Sequence, residues 1–269
     1  MLTTSEIIKK YNLITKKSFG QNFLVHSDLI DKIVKPANIS SKDEILEIGT
    51  GPAGLTTAIL RQNPKKLITV DLDERCIDIA KIEVLPYYKN LEILYGDALN
   101  INETTLFKDK FKIVANLPYN IGTTLIFKWL ENNIQNISLI NVLLQKEVVD
   151  RITAKVGTKD YGRISVMCQY LCDVKKQFDI SPKAFIPAPK VISSVLTMIP
   201  KNNIDIKIIP TLSKLCKIAF NQKRKTIYNN LKVYPNISSI LKECNILETK
   251  RAEELGVEDF LKIAYKLDY

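Results

Sequence analysis

At 269 residues, with 46% hydrophobic and 25% charged side chains, the chain is a globule with a sizeable core, enough for one large α/β domain and a small appendage. A net charge of +10 puts a polyanion first among partner classes, nucleic acid ahead of membrane because no basic amphipathic anchor stands out. One histidine, His26, and five scattered cysteines with no Cys-x-x-Cys pair argue against a histidine triad, a metal site or a disulfide framework, and for a reducing compartment.

In chain order, Met1 to Leu13 carry Glu6, Lys9 and Lys10 and no apolar run of signal or membrane-span length, so a cytoplasmic protein is expected. Thr4-Ser5-Glu6-Ile7-Ile8 opens a short capped helix over residues 4–13. A basic, glycine-containing turn follows, from Lys16-Lys17-Ser18 to Gln21-Asn22-Phe23-Leu24. Apolar positions 29, 30, 33 and 34 predict a helix from Ser27 to Val34, stopped at Pro36. From residue 44 short apolar runs alternate with helical stretches. Strands are predicted over Ile45–Ile48, Leu67–Val70, Leu91–Leu94, Lys112–Ala115 and Leu139–Leu144, with helical spacing at Leu55-Ile59-Leu60 and Ile77-Ala80-Ile82. That alternation reads as an α/β fold with a mostly parallel sheet covered by helices on both faces. Tyr170–Ile180 and Val191–Ile199 are expected to form an antiparallel pair closing one edge. After Pro200 the character changes: Lys201 to Lys232 holds eight basic residues against one acid, Asp205, and the remainder reads as helices. The expected boundary lies near residue 203, with a large domain over 1–203 and a small all-helical one over 204–269.

Glu47-Ile48-Gly49-Thr50-Gly51-Pro52-Ala53-Gly54 ends the first strand of the sheet. Its glycines let the backbone turn sharply and approach a ligand, and Pro52 suits the first turn of the next helix. With Asp71 about 20 residues on, the pattern is that of a dinucleotide fingerprint, and by itself it fits a nicotinamide enzyme and an adenosylmethionine enzyme equally. The next strand tilts the choice. It ends in Tyr95-Gly96-Asp97-Ala98, so Asp71 can accept both ribose hydroxyls while Asp97 accepts from an adenine amino group. The tail of such an adenosine points toward Gly49 and Asn116. Glu47 either serves the tail's ammonium or orients the loop. A dehydrogenase also needs an acid–base group, and no candidate arises here.

Asn116-Leu117-Pro118-Tyr119 sits at another strand end. An exocyclic adenine amine is a poor nucleophile because its lone pair is delocalised into the ring. An asparagine oxygen and the Leu117 carbonyl, each accepting one N–H, draw that nitrogen toward a tetrahedral shape, and Tyr119 offers a face to an extruded base. Phe185-Ile186-Pro187-Ala188-Pro189-Lys190-Val191 brings a second ring, Phe185, on a stiff loop, so the expected arrangement is a base held between Tyr119 and Phe185.

With these motifs in order over nearly its whole length, the chain resembles the ribosomal RNA adenine dimethyltransferases, specifically the KsgA type. The matching stretches are Gly20-Gln21-Asn22-Phe23-Leu24, Glu47-Ile48-Gly49-x-Gly51, Asp71, Gly96-Asp97-Ala98, Asn116 to Asn120, the Phe185-to-Ser193 loop and Phe220 to Lys225. The resemblance implies a class I methyltransferase fold, a Rossmann-like and mostly parallel seven-stranded sheet, with a helical C-terminal domain that binds RNA. It implies S-adenosylmethionine as methyl donor, no metal, and two methyls on N6 of each of two adjacent adenines in a hairpin near the 3′ end of small-subunit (16S) RNA. It also implies cofactor contacts at Asn22, Leu24, Gly49, Asp71, Asp97 and Asn116, with the segment around Asn22 lying over the methionine tail. The expected partner is small-subunit RNA or the pre-30S particle, with no membrane and a monomeric protein.

Two positions depart from the family pattern: Gly122 stands where serine is usual, and Thr50 where proline is common. Neither removes an expected contact. Lys214, Lys217, Lys223, Arg224, Lys225 and Lys232 are the expected phosphate grip, extended by Lys16-Lys17 and Lys190. Two rival readings remain: a relative acting on large-subunit RNA to confer antibiotic resistance, and an RNA-binding assembly factor that has lost its chemistry.

Overall fold

The structure, a computed structural model, describes residues 2–16 and 19–268, so Lys17 and Ser18 of the basic turn lie outside the described residues. Helix α1 (Thr4–Lys10) starts in a reciprocal capping box. The Thr3 hydroxyl accepts from the Glu6 N–H at 3.3 Å, and the Glu6 carboxylate accepts from the Thr3 N–H at 2.7 Å. After the two-residue strand β1 (Phe23–Leu24), α2 (Ser27–Val34) gives way at Pro36 to a tighter 3₁₀ turn over Lys35–Ala37.

Strands and helices then alternate: β2 (Glu44–Ile48), α3 (Gly54–Leu60), β3 (Lys66–Asp71), α4 (Glu74–Glu83), β4 (Leu91–Tyr95), β5 (Phe111–Asn116), α5 (Gly122–Lys128) and β6 (Ile137–Gln145). A π-helical segment, Trp129–Asn133, continues α5. Helices α6 (Lys146–Ile152) and α7 (Arg163–Leu171) lead to β7 (Cys172–Ile180), then β8 (Phe185–Ile186) and β9 (Ser193–Pro200). The seven-stranded sheet has the order β4-β3-β2-β5-β6-β9-β7. Strands β2 through β6 pair in parallel, and β9 runs antiparallel to β6. This is the mostly parallel α/β sheet expected from the alternating pattern, in the seven-stranded class I methyltransferase arrangement that the family resemblance implies. The five predicted parallel strands all form, each one to three residues longer than the apolar run that marked it.

Chain order reverses between β2 and β5. The strand tips on either side of that switch are Ile48, Asp71 and Asn116, the place where doubly wound sheets hold their ligands. Strand β2 is buried along its whole length, as a central parallel strand must be. The core around it joins Ile33, Ile45, Ile59, Leu67 and Val114. A smaller cluster of Ile7, Leu13, Phe23, Cys76 and Ile79 anchors α1 and the start of β1 on α4.

The chain divides into two compact units, residues 1–149 with 175–200, and residues 150–174 with 201–269. The division is not linear in sequence, because the segment containing α7 packs with the tail. A single cut at 203 therefore does not describe it. The second unit holds α8 (Ile209–Ala219), α9 (Ile227–Leu231), α10 (Ile237–Glu243) and α11 (Val257–Asp268). Its centre is aromatic, with Phe220 at 6.2 Å from Tyr161 and 5.4 Å from Phe260 between ring centroids. Lys214 and Lys217 of α8, and Lys223, Arg224, Lys225 and Lys232 beyond it, are all exposed. All five cysteines are buried as free thiols. No described helix is long and apolar enough to cross a membrane. Among the described residues no His, Cys, Asp and Glu cluster is placed to hold a metal ion.

Candidate active site

The turn after β2 is built on positive dihedrals. Gly49 has φ +84° and Gly51 +50°, values that cost a side-chain-bearing residue strain, and Ala53 follows at +61°. Pro52 therefore precedes the helix instead of opening it, because α3 starts only at Gly54. The turn is tied down from β3: the Gly49 N–H donates to the Val70 carbonyl at 2.8 Å, and the Gly51 N–H to Asp71 Oδ2 at 2.9 Å. Thr50 is buried, and its hydroxyl lies 2.7 Å from that of Thr69. Where proline is common, threonine here adds a cross-strand hydrogen bond.

Asp71 stands at the tip of β3, where its second oxygen accepts the Asp73 N–H at 2.9 Å. Burial raises its carboxyl above the usual range, and the backbone N–H groups of Gly51 and Asp73 offset part of that. Asp97 follows β4 and organises its own turn, accepting from the Leu99 N–H at 2.9 Å and from Asn100 Nδ2 at 3.0 Å. The cleft is lined by Gly49, Asp71 and Asp97 on the strand tips, by Asn116, Leu117 and Tyr119 on the next turn, and by Asn22 and Leu24 on the N-terminal strap. Glu47 is wholly buried and is not among the lining residues. It accepts from Thr56 Oγ1 at 2.7 Å, and burial raises its carboxyl to about 8 against the pull of hydroxyls from Thr56 and Thr69. Of its two expected roles, orienting the loop is the one its position supports.

Asn116 ends β5. Its Nδ2 donates to the Asn22 carbonyl at 3.2 Å. A carbonyl can only accept, so the amide must face it with nitrogen, and Oδ1 is left as an acceptor. Pro118 takes the two backbone bonds of the turn, from Ile121 at 3.2 Å and Gly122 at 3.0 Å, while no described hydrogen bond reaches the Leu117 carbonyl. The sequence thus places two open acceptors in succession on this turn. Leu117 itself is a core side chain, 1% exposed. Tyr119 is half-buried, its phenol oxygen 2.5 Å from Ser193 Oγ at the start of β9. Gly122 gives room: a Cβ there would meet Leu144 Cδ2 at 2.5 Å, so a serine would need Leu144 to move.

Phe185 is not at this site. It is 3% exposed, pairs with Leu24 in the β1–β8 ribbon and belongs to the hydrophobic core, so the expected sandwich of a base between Tyr119 and Phe185 is corrected. Besides Tyr119, two rings line the cleft, Phe19 and Phe23, neither of them an expected base platform. Their signal was the same basic, aromatic turn that carries Gln21-Asn22. That strap is held in its middle: Gln21 Nε2 donates to Asp73 Oδ2 at 3.0 Å, and Gly20, at φ +63°, sits against Asn120. Burial would raise the Asp73 carboxyl, but Arg75 and Gln21 outweigh it and hold it at about 2. Ser193 enters the sequence analysis only as the end of the matching loop, with no role of its own. Nothing but its spacing after Lys190-Val191 could have marked it.

A sequence model for the family described as "Ribosomal RNA adenine dimethylase" matches residues 12–268. The chain is 39% identical over 266 residues to "Ribosomal RNA small subunit methyltransferase A" of Wolbachia sp. subsp. Drosophila simulans, covering 97% of this chain and 96% of that one. It is 37% identical over 260 residues to the protein of the same name from Zymomonas mobilis, covering 96% and 93%. Among solved structures, a dimethyladenosine transferase from Plasmodium falciparum superposes with a TM-score of 0.79 at 30% identity, over 91% of this chain and 97% of that one. The 23S rRNA methyltransferase ErmE shares the fold, with a TM-score of 0.69 at 21% identity over 92% of this chain and all of that one. With its strand-tip acids, its doubly accepting Asn116–Leu117 turn and these matches over nearly its full length, the chain belongs to the ribosomal RNA adenine dimethylase family.

Proposed function

We propose that the protein transfers methyl groups from S-adenosylmethionine to N6 of two adjacent adenines in a hairpin near the 3′ end of small-subunit ribosomal RNA. The observation that carries this reading is the acceptor turn. Asn116 Nδ2 is spent on the Asn22 carbonyl, so Oδ1 and the Leu117 carbonyl are free to accept the two N–H bonds of one exocyclic amine. Accepting both hydrogens localises the nitrogen lone pair for attack. The cofactor supplies an electrophilic methyl on a sulfonium, so the N–C bond forms as the C–S bond breaks, a neutral thioether leaves, and one amine proton is lost.

The chain's own residues supply position. Asp71 and Asp97 hold the ribose and adenine ends of the donor, the Gly49–Gly51 backbone lies beside its tail, and the strap at Asn22 and Leu24 covers it. Alignment of donor and acceptor is then the main source of rate, and no strong general base is required. Tyr119 presents its face to the flipped base. The second unit, with its row of exposed lysines, is read as the RNA-binding part. The working form is read as a cytoplasmic monomer acting on the pre-30S particle.

The test is to incubate the protein with methyl-tritiated S-adenosylmethionine and either small-subunit particles or naked large-subunit RNA, then map the label. Label in small-subunit RNA near its 3′ end is the expected result. Label confined to large-subunit RNA would replace this reading with the resistance-type activity. Tight RNA binding with no label in either would leave an assembly factor.

A further inference from the structure

A buried ion pair lies behind the cleft, and no step of the chemistry above uses it. Lys128, the last residue of α5, donates from Nζ to the Ala98 carbonyl at 2.8 Å, to the Ile101 carbonyl, and to Glu103 Oε1 at 2.8 Å. Its side chain is 16% exposed and that of Glu103 is 1%. Glu103 is saturated from the same element: Trp129 Nε1 donates to Oε1 at 2.8 Å and Asn133 Nδ2 to Oε2 at 2.7 Å, both from the π-helical segment that continues α5. Two charges are thus removed from water and fully hydrogen-bonded, an arrangement that fixes geometry more than it adds stability.

What the pair joins is specific. One partner of Lys128 is the carbonyl of Ala98, which lines the cleft directly after Asp97. The other end of α5 follows Asn120 and Ile121, which line the same cleft beside the acceptor turn. Trp129 and Asn133 hold the Glu103 end of the Asp97–Glu103 loop, whereas among the described hydrogen bonds Lys128 alone ties the Ala98 and Ile101 carbonyls to α5. Its other described bonds are local, from Leu99 and Asn100 to Asp97, from Thr104 and Thr105 to Asn102 and from Leu106 to Glu103, and just before it the Gly96 N–H donates to the Asp71 carbonyl at 3.0 Å.

We propose that Lys128, seated on Glu103, is a positioning residue for the cofactor's adenine, fixing the Asp97–Ala98 loop to the helix that leaves the acceptor turn. The inference rests on the reading of Asp97 as the adenine-binding acid. Losing Lys128 lets the loop drift while the Gly49–Gly51 turn, Asp71 and the Asn116 acceptor stay where they are. The effect should fall on binding of the adenine half and spare turnover once the donor is bound.

The experiment compares wild type, Lys128→Met, Lys128→Arg and the charge-balanced double variant Lys128→Met/Glu103→Gln, with Asp97→Ala as control. S-Adenosylhomocysteine and adenosine affinities are measured by titration calorimetry, and cofactor KM and kcat on small-subunit particles. Lys128→Met should weaken both ligands by a common factor of about tenfold and raise the cofactor KM to match, since hydrogen bonds to a charged group are being lost. Its kcat at saturating donor should stay within about threefold, and Lys128→Arg should recover most of the affinity. Should Lys128→Met fail to fold, the double variant leaves no unpaired buried charge and carries the same expectation. Unchanged affinity in Lys128→Met or the double variant overturns the proposal. So does a loss for S-adenosylhomocysteine not shared by adenosine, or a fall in kcat with KM unaltered. If Asp97→Ala also leaves adenosine binding unchanged, the adenine reading of the loop is what fails, and a failure of the clamp alone is told apart from it.

Discussion

Tyr119 carries both an apolar face and a hydroxyl, and the structure gives them separate tasks. The ring is read as the platform for the flipped base, while the phenol is tied to the buried Ser193. Tyr119→Ala should therefore lower kcat/KM on RNA by about 10- to 100-fold, as loss of base stacking does. Tyr119→Phe, which loses one hydrogen bond, should cost about fivefold. Equal losses would sink the stacking role. Glu47 makes a prediction of a different kind. Its folded-state value of about 8 lies above the unfolded value of 4.5. The folded protein then binds a proton that the unfolded chain releases, so this site's contribution is full below about pH 4.5 and is lost as pH rises through 8. Glu47→Gln should be nearly neutral at pH 5 and more stable than wild type at pH 8, by on the order of a few kcal/mol. Paired thermal melts at the two pH values check this, and a gap that shrinks toward pH 8 would contradict it. The positions of the strand-end polar residues were legible in the sequence. Asp71, Asp97 and Asn116 sit at strand ends, and their place in the fold follows from the strand pattern. The Tyr119–Ser193 bond was not legible, because it spans 74 residues and nothing local announces it.

The elements were the most readable level. Apolar runs of four to six residues alternating with helical stretches fit a parallel sheet covered on both faces, which brings the tips of β2, β3, β4 and β5 to one edge. What the pattern could not give is which face a short flap turns inward. Phe185 illustrates this: its proline-flanked loop resembles a site, but a two-residue pairing with β1 turns the ring into the core. Phe185→Ala should consequently cost about 3–5 kcal/mol of stability, as large-to-small changes in a core do, with kcat of the folded protein within about threefold of wild type. A large fall in kcat at an unchanged melting temperature would restore the sandwich. The strap before β1 shows the same limit. Its anchors, Asp73 for Gln21 and Asn116 for the Asn22 carbonyl, lie far away in sequence.

For the whole molecule, charge was the earliest signal. The +10 excess is concentrated in the second unit, where Lys214, Lys217, Lys223, Arg224, Lys225 and Lys232 are exposed, although Lys223 also donates to the Lys159 carbonyl at 3.1 Å. If each neutralises one phosphate, the log–log salt dependence of RNA binding should have a slope of roughly −4 to −5. A titration series between low and physiological salt measures it, and a slope near −1 would remove this face from the RNA interface. That residues 150–174 pack with this tail was not legible in the sequence, since the packing around Tyr161, Phe220 and Phe260 joins segments about 60 and 40 residues apart. The central claim is that the Asn116–Tyr119 turn transfers methyl groups to adenine N6. It is tested most directly by nucleoside mass spectrometry on small-subunit RNA after reaction with wild type and with Asn116→Ala, RNA affinity being measured in parallel. The expected result is N6,N6-dimethyladenosine at two adjacent positions with wild type, and none with Asn116→Ala at a comparable RNA affinity. Dimethylation by Asn116→Ala at a near wild-type rate would contradict the claim.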